Sequence, residues 1–189
     1  MKEINRVTKE TTIKCKIDLN DKAYSIDSGI GFFDHMLEAL SKHSGIGIEL
    51  SCKGDTHIDD HHSVEDCGIV IGQALKAEIF PISAVERYGN ATVVMDEASA
   101  TVALDLSNRP FLHYDVNVVG KVGDFDTELV EEFFHALVQN AGITAHIVLD
   151  RGKNKHHILE AVFKAFAVAL RRALVKNEAL GIPSTKGVL

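Results

Sequence analysis

Tryptophan is absent, and the whole aromatic share is only 6%. Nothing in the chain therefore suggests a stacking platform for nucleic-acid bases or sugars. Positive charge is short as well: 20 Lys and Arg stand against 27 Asp and Glu, a formal net charge of -7. A nucleic-acid partner wants a basic face, so none is expected. No apolar run approaches the roughly twenty residues of a membrane span, and the opening MKEINRVTKETT has no signal-peptide core. The chain reads as cytoplasmic, with no membrane partner. Cysteine is scarce: Cys15, Cys52 and Cys67 have no C-x-x-C spacing and leave one unpaired, so they read as reduced, packed thiols. What remains is ordinary globular material, 189 residues with 46% hydrophobic and 25% charged, enough for a real core. Histidine is the exception. There are ten, and four come as two adjacent pairs.

Ile4 to Leu19 alternates, and a turn at Asn20-Asp21-Lys22 leads to a second strand near Ala23 to Ile26. Gly29-Ile30-Gly31 opens a helix with a stripe of Phe32, Phe33, Met36, Leu37 and Leu40, ending near Ser44-Gly45. A strand (IGIELSC) and a long helix from Asp59-Asp60 follow, acids being suited to a helix N-terminus. After Pro81 come three strand-like segments, ATVVM, SATVALDL and FLHYDVNV. Asp126-Thr127 then caps the helix ELVEEFFHALVQNAG, and the strand ITAHIVL leads through Arg151 to Asn154 into HHILEAVFKAFAVALRRAL. Strand-strand-helix-strand-helix thus occurs twice. An offset of 97 residues places Ala39-Leu40 on Ala136-Leu137 and Gly45-Ile46 on Gly142-Ile143, and an offset of 95 places His61-His62-x-x-Glu65 on His156-His157-x-x-Glu160. The expectation is an internally duplicated α+β fold, with helices packed between two small mixed sheets. It forms one catalytic domain of two pseudo-repeats, about 1–88 and 89–176, plus a tail, 177–189.

A lone histidine on a helix is ordinarily a satisfied core or surface residue. Two H-H-x-x-E strings at matching places in a duplication point instead to metal ligation. Residues i and i+4 share a helix face, while i+1 is turned by about 100°. His61 and Glu65 can therefore hold one ion while His62 faces another, and His156 with Glu160 and His157 divide in the same way. His35 is the natural extra ligand for the ion held by His62, His156 and Glu160. The 97-residue offset puts Glu132 in that role for the ion held by His157, His61 and Glu65. The alternatives are His135, three positions along the same helix, and His146, on a strand expected to face the core. Such N/O ligand sets suit Mn, Fe, Co, Ni or Zn. Asp59, Asp60 and Asp66 could orient imidazoles, or stand as solvated helix-end charges.

With these strings in view the chain resembles the imidazoleglycerol-phosphate dehydratases over its whole length. The resemblance is carried by Arg6-x-Thr8-x-Glu10-Thr11, GIGFFDHML (29 to 37), DDHHSVED (59 to 66), MDEA (95 to 98), NRP (108 to 110), KNKHHILEAVFKAF (153 to 166) and PSTKG (183 to 187). Two positions depart from the pattern. Ala39 stands where many members carry Gln, which bears on a substrate contact, and Glu132 stands where many carry a ligand His.

The resemblance implies a lyase of histidine biosynthesis, dehydrating imidazole glycerol phosphate to imidazole acetol phosphate with two Mn2+ per active site. No carbonyl acidifies the proton to be removed. Ions on the substrate ring nitrogens favour imidazolate, whose electrons help expel the hydroxyl through a diazafulvene-like intermediate. A carboxylate must shuttle protons: Glu10 falls on a substrate-contacting position of the family, with Glu65 and Glu160 as alternatives. Arg87, Arg109, Lys164, Ser184 and Lys186 fall on its phosphate-contacting positions. His43 is a further substrate-binding candidate, with a helix-end role as the alternative, and His57 and His113 read as structural. The family also implies trimers that build a 24-subunit shell, with active sites between subunits. Two other readings, a non-catalytic metal-binding or metal-sensing protein and a dimetal phosphatase, lack the phosphate-contacting strings or the bridging carboxylates that the sequence has or would need.

Overall fold

The computed structural model describes residues 2–187. The alternating N-terminal stretch is two strands rather than one, β1 (Lys2–Val7) and β2 (Thr11–Asp18), paired antiparallel with Val7 opposite Thr12. The turn between them contains no glycine, proline or asparagine. The Thr8 hydroxyl closes it by accepting the N–H groups of Glu10 and Thr11, so alternation runs up to both sides of the break without punctuation. Then come β3 (Tyr24–Asp27), α1 (Gly31–Ser44), β4 (Gly47–Gly54) and α2 (His61–Ile79). The second half repeats the series with β5 (Tyr88–Met95), β6 (Ala98–Asp105), β7 (Phe111–Asp115), α3 (Leu129–Ala141), β10 (Thr144–Arg151) and α4 (Lys155–Ala173). It adds a small hairpin, β8 (Lys121–Val122) and β9 (Phe125–Asp126), before α3. Each half therefore has three strands of its four-stranded sheet before its first helix, and the second half has the hairpin besides.

The duplication extends to strand order and register. The sheets run β1-β2-β4-β3 and β5-β6-β10-β7, and the last strand of each lies parallel to its neighbour. Ile17 faces Ile48 in the first sheet, and Leu104 faces Ala145 in the second. Gly45 and Gly142, 97 residues apart, close α1 and α3 in the same left-handed conformation (φ 72° and 69°), each donating its N–H four residues back. The architecture is α+β, with four helices and two mixed sheets.

The inner faces follow from period two. Ile13, Cys15 and Ile17 point inward from β2 while Lys14 is exposed, and Ala100, Val102 and Leu104 do the same from β6. α2 packs on β1 and β2, and α4 on β5 and β6, while the first helix of each half lies against the second helix of the other. Phe33, Phe133, Phe134, Phe163 and Phe166 are fully buried where they meet. The α2–α3 seam is the closer one. A Cβ at Gly68 would lie 2.7 Å from the Phe133 carbonyl oxygen, and one at Gly72 2.6 Å from that of Leu137.

Three local expectations change. Thr127 does not cap α3; its hydroxyl donates to the Val118 and Gly120 carbonyls and fixes the preceding loop. Asp66 is not a solvated helix-end charge. It is buried on α2, taking hydrogen bonds from Arg6 Nε and the Thr11 hydroxyl, and so ties the helix to the first hairpin. His146 faces outward from β10, between the inward Ala145 and Ile147, with its ring 5.4 Å from that of His113. All three cysteines are free and buried, and burial pushes the Cys15 thiol up to about 12. Among the described residues no helix is long and apolar enough to cross a membrane.

Candidate active site

Both His-His-x-x-Glu strings open their helices, where the cap fixes the direction of the side chains. Asp59 accepts the His61 N–H at 2.9 Å, and Asn154 accepts the N–H groups of His156 and His157 at 2.9 and 3.3 Å. On α4 the i/i+4 geometry brings His156 Nε2 to 3.2 Å from Glu160 Oε2. α1 adds His35, whose Nε2 lies 3.8 Å from the same oxygen. These three donor atoms all fall within 4.8 Å of one another, a spacing and chemistry that suit a metal ion. The group contains neither His62 nor Glu132. Glu160 is buried, which raises its pKa, but Lys164 Nζ at 2.6 Å from the second oxygen and the nearby His35 and His156 bring the net shift below the usual value. On α2, His61 Nε2 lies 3.7 Å from Glu65 Oε2, in a more open arrangement.

The second histidine of each pair turns away, as the helix requires, and meets carboxylates that spacing did not single out. His62 Nδ1 lies 3.2 and 3.1 Å from the two oxygens of Asp55, and its Nε2 is 3.8 Å from Glu10. His157 Nδ1 lies 2.8 Å from Glu97, and its Nε2 3.8 Å from Asp96. Glu97 also accepts the backbone N–H groups of Lys153 and Asn154. The Asn154 bond and the His157 contact are the chief causes that hold its carboxyl down to about 2. A carboxylate at Nδ1 keeps the proton there and leaves the Nε2 lone pair free, the usual way to prepare an imidazole ligand. Its hydrogen bond raises the pKa of each imidazole. Glu10 and Glu97 sit in matching hairpins, between β1 and β2 and between β5 and β6. The MDEA string was the available signal for Glu97; Asp55 had none beyond its place before α2.

A cleft of about 970 Å³ gathers Arg87, Arg109, Ser184 and Lys186 where the tail crosses the end of the second sheet. Arg87 is largely committed: Nε and Nη2 form a fork on Asp105 at 2.6 and 3.0 Å, and Nη1 donates to the Pro183 carbonyl at 2.7 Å. Its fork thereby anchors the tail. Arg87 and Asn108, both non-glycine residues with positive φ (70° and 54°), line the same cleft. Arg109 is exposed, its guanidinium 3.7 Å from Asp105. Lys164 is not at this cleft but beside Glu160. His43, half-buried at the end of α1, accepts Arg171 at its carbonyl; its imidazole pKa is lowered by desolvation and then by Lys164 and Arg171. Glu132 and His135 are exposed on α3, and Ala39 is buried on α1.

The imidazoleglycerol-phosphate dehydratase family model matches residues 28–170. The chain belongs to that family. It is 78% identical to the imidazoleglycerol-phosphate dehydratase of Aliarcobacter butzleri and 62% identical to that of Sulfurovum sp., covering all of this chain and of each relative. The fold is also that of two crystal structures. The imidazoleglycerol-phosphate dehydratase of Staphylococcus aureus matches with a TM-score of 0.84 at 44% identity, over 93% of this chain and 98% of that one. The enzyme from Pyrococcus furiosus, in complex with (S)-C348, matches with a TM-score of 0.85 at 37% identity, over 98% and 100%. As an imidazoleglycerol-phosphate dehydratase family member the chain is a hydro-lyase of histidine biosynthesis, acting on imidazole glycerol phosphate. The metal-sensor and phosphatase readings fall away.

Proposed function

We propose that the dehydration uses two Mn2+ ions per active site, held in sites that no single subunit completes. The observation that carries this is the His35–His156–Glu160 group together with His62, which lies outside it with Nδ1 held by Asp55. A three-ligand group with open positions, and a pre-oriented histidine that does not belong to it, are what a site shared between neighbours requires. His62 of a neighbouring subunit completes the first site. His61, Glu65 and Glu132, with His157 of a neighbour, form the second. Glu132 is favoured over His135 and His146 because the glycine caps of α1 and α3 align it with His35. We assign the whole chain to one catalytic domain of two pseudo-repeats plus its substrate-contacting tail, assembled in the cytoplasm through trimers into a 24-subunit shell.

Bound at the substrate's ring nitrogens, the ions would stabilise the anionic ring and so help the neighbouring hydroxyl leave. Glu10, 3.8 Å from His62 Nε2, takes the carbon-bound proton and passes it to the departing hydroxyl, which leaves as water; it then takes the proton of the enol hydroxyl and delivers it to the carbon beside the ring, giving the ketone. Glu65 and Glu160 are poorer bases for this step once engaged as ligands. Arg109, Ser184 and Lys186 bind the phosphate, with Arg87 holding the tail in place beneath them and Lys164 reaching in from beside Glu160. His43, near Lys164, flanks the substrate.

Stripping metal with a chelator should remove turnover, and Mn2+ should restore it. Undiminished turnover in protein shown to be metal-free would refute the proposal.

A further inference from the structure

The two metal sites share a backbone plan but not a charge. Asp59 and Asp60 precede the first His-His pair, and Asn154 and Lys155 stand in their places before the second. Lys164, 2.6 Å from Glu160, corresponds to Ile69 on α2, so Glu65 has no lysine four residues on. The extra ligand from α1 is the neutral His35, while its counterpart on α3 is Glu132. Lys121, whose charge acts on Asp60, is engaged by Asp126 at 2.9 Å. The histidines that arrive from neighbours do not redress the balance, since each brings one orienting carboxylate, Asp55 with His62 and Glu97 with His157. By position in the sequence the His61–Glu65 side therefore carries Asp59, Asp60 and Glu132 besides Glu65, whereas the only ligand carboxylate of the other is offset by Lys164 in contact and by Lys155, one residue before His156.

From this we infer that the sites are unequal. The His61–Glu65–Glu132 site takes a divalent cation first and holds it on the order of tenfold or more tightly than the His35–His156–Glu160 site. This rests on the two-metal reading above. At limiting metal the assembly is half-loaded, with the ions on the α2 side and Lys164 still seated on Glu160.

The test starts from fully Mn2+-loaded protein in its assembled state and removes metal with increasing chelator. Bound metal should fall in two steps, half at each. Anomalous scattering from crystals at the plateau should place the remaining ion beside His61 and Glu65. Lys164→Gln should tighten the weaker site about tenfold and merge the steps, and Ile69→Lys should loosen the tighter site by a similar factor. A single step in the wild type, or a remaining ion beside His156, overturns the inference and leaves the two-metal reading intact. A protein that takes up no Mn2+ at all overturns both.

Discussion

The α2–α3 seam and the α1–α4 seam occupy equivalent places in the two halves and are built differently. Gly68 and Gly72 let α3 approach the α2 backbone, whereas the matching positions on α4 are Phe163 and Ala167, both fully buried. One seam is closed by the absence of side chains and the other by a large ring. Strand order and the glycine that closes the first helix are nonetheless the same in both halves, and the register matches apart from an irregularity between Leu149 and Arg151 in the second. The backbone plan tolerates divergence in how the core is filled, provided each seam stays packed. It keeps one feature in common: a His-His-x-x-Glu string opening the second helix, with a carboxylate behind the second histidine.

The largest effect should come from breaking that shared feature. His62→Ala or His157→Ala should each abolish dehydration and lower bound metal, as read by turnover and metal analysis. Next is the seam. Phe163→Ala leaves a cavity and should cost about 3–5 kcal/mol in urea unfolding. Gly68→Ala overpacks the other seam and should cost about 1–3 kcal/mol. If the Gly68 variant is neutral, the two seams are not packed as differently as described. Glu97→Gln keeps the shape but loses the charge behind His157. It should weaken Mn2+ binding roughly 10–100-fold, with Glu97→Asp recovering part of it. The smallest change is at the cleft, where Lys186→Ala should raise KM while metal content stays the same. Loss of metal in that variant would contradict a phosphate role.

Much of this was legible because it is local. Helical period, the glycine after each first helix and the i/i+4 His–Glu pairs all lie within a turn or two of sequence, and the two halves repeat them. The missed features are those that folding brings from afar. Nothing in the spacing joins Glu97 to His157, Asp55 to His62, Asp105 to Arg87 or Asp66 to Arg6, because each pair meets only once its strands and helices are in place. The first hairpin escaped notice because a threonine hydroxyl makes its turn. His146 lies outward on a strand that does pack on the core, because alternation leaves two phases and the choice between them depends on which face meets the helices.

In the proposed assembly one site draws His62 from one subunit and His156 from another, and subunit mixing tests this most directly. His62→Ala and His156→Ala variants should each be inactive alone. Co-expressed in equal amounts and assembled together, they should regain about a quarter of wild-type turnover, because that fraction of interfaces pairs an intact His62 with an intact His156. If both histidines served a site within one chain, every site in the mixture would lack one of them. Mixed assemblies as inactive as either parent would contradict the account.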